Sequence, residues 1–190
     1  MDTASILRSV RASSARSQDE LARAAGTLQP ALARLESARG DATVGRLNRI
    51  LEPVGAQVAA LPTRLPTLAS WAQAFRTWIQ EDDLPAVRSG FIQVADDLTS
   101  VDGATAVGLC LLAPAPTGHP GVDASLAGLV EFIFTRSNWP VPLWVGDIAP
   151  APEPFHLVPN RSIRHHIEAS TPAVFSVRNV FVPAEFFASA

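Results

Sequence analysis

The chain has 190 residues, 47% of them apolar and 17% charged, which is enough to bury a core and excludes global disorder. No apolar run approaches the ~18 residues of a membrane span, the first residues lack the basic-then-apolar pattern of a secretory signal, and the single cysteine, Cys110, excludes an internal disulfide or a cysteine-rich zinc site. The formal charge of −3 hides an asymmetry: residues 1–65 hold nine arginines against six acids, a net of +3, and residues 66–190 hold six against twelve, a net of −6.

Four or five short helical patterns come first. Residues 3–14 place Ile6, Leu7 and Val10 on one face, residues 18–25 place Leu21, Ala22 and Ala25, and residues 29–37 place Leu32 and Leu35. Residues 43–53 carry Val44, Leu47, Ile50 and Leu51 behind Thr43, an expected N-cap, and Gly55 ends the unit before an extended AQVAAL. The segment LPTRLP, with two prolines four residues apart, predicts a linker over 62–67 between domains at 1–61 and 68–190.

The second part also reads as mainly helical. Helices are expected over 67–80, with Leu68, Trp71, Phe75, Trp78 and Ile79 as its stripe, and over 82–99 behind an N-cap at Asp82 or Asp83. Two more are expected over 102–112 and 121–138. The proline-rich WPVPLWVGDIAPAPEPFHLVPN cannot be a regular helix, and its two tryptophans predict that it wraps over the core. Helical signals return at 161–169 and 172–178. The expected fold class is therefore mainly all-α, with a proline-rich irregular segment in the second domain.

The stretch SQDELARAAGTLQPALARLESARG carries the chemistry. Ser17 and Glu20 form a capping box that starts a helix at Gln18. Ala22 is small where two helices must approach, Gly26 permits a tight turn, and Leu32 and Leu35 face back onto the first helix. This is the spacing of a helix-turn-helix, whose second helix enters the DNA major groove. Gln29 at its start is suited to adenine or another base edge, Ala31 to a thymine methyl, and Arg34 to guanine or phosphate. Gln18 and Arg39 are placed for phosphate contacts, and Thr27, in the turn, is a further DNA-binding candidate.

The run from SILRSVRASSARSQDELARAAG through TLQPALARLESARGDATVGRLNRILEPVGAQV resembles the Xre/phage-repressor family over residues 4–58. The resemblance implies a five-helix DNA-binding domain that acts as a dimer on operator DNA. One position departs from the family pattern: Leu28 stands where serine usually precedes the recognition-helix glutamine. Leucine is a poor N-cap, about 1 kcal/mol worse than serine.

Asp123 to Glu131, Pro142 to Trp144 and Pro172 to Val182 resemble the C-terminal domain of actinobacterial Xre-type regulators. That likeness implies an antitoxin-like autorepressor with a cognate toxin or other protein as partner, held through residues 68–190. Trp139, Trp144 and Phe155 are candidates for a partner-binding groove, with core packing as the plainer reading.

No metal or phosphate-binding motif appears, and no cofactor is expected. His165 and Glu168 have helical spacing for a metal pair, but surface histidines are the default. Asp96/Asp97 and Asp123/Glu131 read as solvated acids. The expectation is a cytoplasmic, non-enzymatic regulator. Two alternatives stand beside it: a stand-alone repressor responsive to a small molecule, and a protein-interaction module with a vestigial helix-turn-helix.

Overall fold

The computed structural model describes residues 3–158 and 161–187. The chain divides into two compact units, Met1–Pro62 and Thr63–Ala190, each with its own hydrophobic core. Among the described residues no helix is long and apolar enough to cross a membrane.

The first unit contains α1 (Thr3–Ser13), α2 (Gln18–Ala24), α3 (Gln29–Glu36) and α4 (Val44–Leu51). In place of a fifth helix stands a 3-10 turn, Glu52–Val54, stopped by Gly55 at φ 71°. Pro53 and the left-handed glycine leave too few residues for a further α-turn. The Ser17 box is formed in both directions, with Ser17 Oγ accepting from Glu20 N and the Glu20 carboxylate accepting from Ser17 N. Gly26 turns the chain at φ 62°. Leu7, Leu21, Ala22, Leu32, Leu35, Leu47, Ile50 and Leu51 meet in the core. Val44, expected on that apolar face, is exposed in the first turn of α4. Beyond Gly55 the chain is irregular, and Asn48 Oδ1 fastens it by accepting from Val58 N.

The residues expected as a linker are partly claimed by the second unit. Leu65 packs against its core, and Thr67 caps α5 (Leu68–Gln80) by accepting from Ser70 N. Next come α6 (Leu84–Thr99), α7 (Gly103–Cys110) and α8 (Pro120–Arg136). Gly90 lets α6 approach α5 so closely that a Cβ there would lie 2.6 Å from Trp78. Helix α8 is the spine of this unit, buried on most of its circumference from Gly121 to Phe134.

The proline-rich segment wraps this core, with one helical turn, α9 (Trp144–Asp147). It ends in a feature the helical reading missed. Strand β1 (Phe155–His156) pairs in parallel with β2 (Val180–Phe181), which follows α10 (Arg164–Ser170) and α11 (Ala173–Ser176). Phe155 N donates to Asn179 O and Leu157 N to Phe181 O. The proline-rich chain thereby meets its backbone demand without a helix. The fold is mainly helical, with this one small sheet among the described residues.

Candidate nucleic-acid interface

The turn between α2 and α3 is built from local chemistry. Ala25 and Gly26 close α2, and Thr27 N donates back to Ala22 O at 2.9 Å. Helix α3 then starts at Leu28 in extended conformation, with no side-chain cap and with Pro30 in the first turn. Its inner face places Leu32 and Leu35 in the core. Its outer face leaves Gln29, Pro30 and Arg34 exposed and Ala31 half-buried.

A hydrogen-bonded chain runs from the interior to that outer face. Glu36, only 4% exposed, receives Arg11 bidentately, Nε to Oε1 at 2.8 Å and a terminal nitrogen to Oε2 at 3.1 Å. The contact raises the Arg11 pKa above its ordinary value, against the opposing effect of burial. Gln18 Nε2 donates to Glu36 Oε2 at 2.8 Å, and Gln29 Nε2 donates to Gln18 Oε1 at 2.9 Å. The sequence of roles is forced. A carboxylate facing arginine can only accept, so Gln18 must turn its amide nitrogen inward and its oxygen outward. Gln29 must then give Gln18 an N–H, which leaves its own Oε1 and second N–H on an exposed side chain with no partner among the described residues. Arg8 also donates to the Glu36 carbonyl and ties α1 to the end of α3.

The six residues expected at DNA therefore divide. Gln29, Arg34 and Arg39 are exposed, and among the described residues the guanidiniums of Arg34 and Arg39 meet no hydrogen-bond or ion-pair partner. Thr27 and Ala31 are half-buried beside Gln29. Gln18 was expected at phosphate, but its amide is engaged on both sides and holds Gln29. Glu36 and Arg11, the base of the network, escaped the sequence reading. The signal was faint: an acid in the last turn of a helix, where the dipole disfavours it, marks an unusual partner.

The three aromatics expected at a partner groove are occupied inside the second unit. Trp144 is 7% exposed and its indole N–H donates to Cys110 O at 2.8 Å, so it is a core residue. Trp139 lies over Gly103, where a Cβ would come within 2.6 Å of its ring nitrogen, and meets Phe134 edge-on. Phe155 lies over Gly121 in the same manner, 2.5 Å from the site of a Cβ.

Several acids also differ from expectation. Asp97 is 7% exposed and accepts from Trp71 Nε1 at 3.1 Å and Gln93 Nε2 at 3.0 Å, so it belongs to the interior, not to a solvated face. Glu131 accepts from buried Arg178 at 2.7 Å, and Asp123 accepts from Thr117 N. Arg178 also donates to the Val145 and Ile148 carbonyls, which pins the proline-rich segment to α8. Glu168 pairs with His156 at 2.9 Å and not with His165. His119 caps α8, with Nδ1 accepting from Gly121 N. Burial pushes the Cys110 thiol up to about 12, so it is an inert packing group. No cluster of three or more metal-ligating side chains occurs among the described residues.

Comparison with known protein families, with curated proteins and with solved structures finds no match for this chain.

Proposed function

We propose that the chain is a sequence-specific DNA-binding regulator whose first unit reads the major groove through α3. The reading rests above all on the chain Arg11–Glu36–Gln18–Gln29, which fixes an exposed amide at the start of a short amphipathic helix. An outward Oε1 and N–H match adenine, which offers a donor at N6 and an acceptor at N7. Guanine would set O6 against Oε1, acceptor against acceptor. Arg34, one turn on, reaches guanine or phosphate, and Arg39 holds backbone. Gln18 positions Gln29. The net positive charge of residues 1–65 supports phosphate binding.

The likeness of the first unit to Xre-type domains, and of residues 123–182 to antitoxin-like regulators, extends the proposal. The protein binds as a homodimer, represses its own operon and engages a protein partner through residues 68–190. The acidic balance of that part favours a basic partner such as a toxin. Exposed Leu84, Ile92, Leu111, Leu143 and Val177 provide apolar surface for self-association or a partner.

The test is enrichment of duplexes from a randomised pool by the full chain, followed by anisotropy titrations of the enriched and scrambled duplexes across a salt series. The proposal expects selective binding that weakens by about 1–3 kcal/mol in Gln29→Ala. Arg34→Ala is expected either to relax selectivity at one position or to lower the salt slope by about one. Weak, equal binding of both duplexes, unchanged by Gln29→Ala, would leave the helix pair as a scaffold for protein contacts only.

A further inference from the structure

The Leu28 carbonyl opens α3 by accepting from Ala31 N and Leu32 N, but its side chain belongs to neither hydrophobic core. Leu28 is 75% exposed, it immediately precedes Gln29, and its side chain occupies the N-cap of α3 without capping it. At the caps of α2 and α4, Ser17 and Thr43 accept from their own helices. A leucine here leaves a helix end unsatisfied and sets a large apolar side chain in water. Isolated exposed leucines are ordinary on protein surfaces, but this one has company. Residues 28, 30 and 31 are leucine, proline and alanine, so along the chain the fixed amide of Gln29 is flanked by apolar side chains. In the major groove the apolar group beside the base-edge donors and acceptors is the C5 methyl of thymine.

We infer that Leu28 is a specificity-determining residue that packs on a thymine methyl within one base step of the adenine read by Gln29. The inference rests on the DNA-reading role proposed for α3. It makes the poor cap a feature of recognition: the contact missing in the free protein is made on DNA. Serine at this position would cap α3 and lose the methyl.

The experiment uses the full chain and the enriched duplex. Each thymine is replaced in turn by deoxyuridine, which removes only the methyl, and wild type is compared with Leu28→Ser. The expected result is one thymine at which methyl removal weakens wild type about fourfold, the worth of one buried methyl-sized group. Leu28→Ser is expected to be indifferent to the same change while still preferring adenine to guanine at the Gln29 position. Its circular dichroism and melting temperature, expected to match or exceed wild type, exclude misfolding as the cause. Tolerance of uracil at every position by wild type, or equal sensitivity in Leu28→Ser, would overturn the inference and leave the role of Gln29 intact. Loss of all selectivity, including for adenine, would overturn both.

Discussion

Glu36 has the most to lose from substitution in the first unit. It is buried, and three side chains donate to it or to its carbonyl: Arg11, Gln18 and Arg8. Glu36→Gln keeps the shape but removes the charge and half of the acceptor capacity. Breaking a buried pair costs several kcal/mol, and because Arg11 is about a quarter exposed the expected loss is nearer 2 kcal/mol. Urea unfolding followed by circular dichroism would measure it. The same substitution frees the Gln18 amide to rotate, so base selectivity is expected to fall with stability. Ala15 and Ala38 offer the opposite effect. They follow α1 and α3 at φ 51° and 57°, the left-handed region where a Cβ is crowded. Ala38→Gly is expected to stabilise by about 0.5 kcal/mol, the relief of that crowding less the extra freedom of glycine in the unfolded chain. Residues with local roles were legible in the sequence. Ser17, Glu20, Gly26, Thr43 and Gly55 all act within a few positions of themselves. The charged residues that matter most were not. Arg11 and Glu36 are 25 positions apart, Trp71 and Asp97 are 26, and Glu131 and Arg178 are 47. Nothing in periodicity distinguishes an acid with such a partner from one in solvent.

At the scale of elements, α2 depends on the ionised form of Glu20. Hydrogen bonds from the Ser17 backbone, and then from its hydroxyl, hold this carboxyl below its ordinary value. A carboxyl depressed in the folded state contributes stability above its unfolded pKa and loses it as pH falls through the folded pKa. The unfolding midpoint of the first unit is therefore expected to fall on acidification below the carboxylate range, with a shallower dependence in Glu20→Gln. A pH series of urea titrations read by circular dichroism checks this, and identical slopes would count against the box as a source of the dependence. In the second unit the helix contact at Gly90 is the equivalent weak point. A Cβ there would stand 2.6 Å from Trp78 and 3.1 Å from Phe75, and Phe75 is fully buried. Gly90→Ala is expected to destabilise by about 1–3 kcal/mol despite the better helix propensity of alanine, since overpacking outweighs it. Guanidinium unfolding by tryptophan fluorescence would register the change. The helices were readable because their apolar spacing repeats over about two turns in the shortest, such as α2 and α3, and over more than four in α6 and α8. The pairing of β1 with β2 was not, because two residues on each side carry no period and the partner lies 25 positions away.

Two separate cores have a consequence for the whole molecule. All four tryptophans lie beyond residue 70, so their fluorescence reports the second unit, and far-ultraviolet circular dichroism reports both. Unfolding is expected to depart from a single two-state transition, with Glu36→Gln moving the dichroism curve and leaving the fluorescence curve in place. Coincident shifts in both signals would show the two cores to be energetically coupled. The charge asymmetry separates a basic first part from an acidic second part, and the proposed function assigns a polyanion to the first and a protein to the second. That division was visible in the composition. The way in which the interior carboxylate dictates the orientation of a surface amide was not, because it runs through four side chains, Arg11, Glu36, Gln18 and Gln29, from three helices.

The most direct measurement of the central claim is a base-substitution scan. The full chain is titrated against the enriched duplex and against versions in which each A·T pair is changed singly to G·C, with wild type and Gln29→Ala side by side. One position is expected where the change costs wild type about 1–3 kcal/mol and costs Gln29→Ala almost nothing, because the fixed amide is matched to adenine alone. A scan in which no single substitution matters, or in which Gln29→Ala keeps the full wild-type pattern, would contradict it.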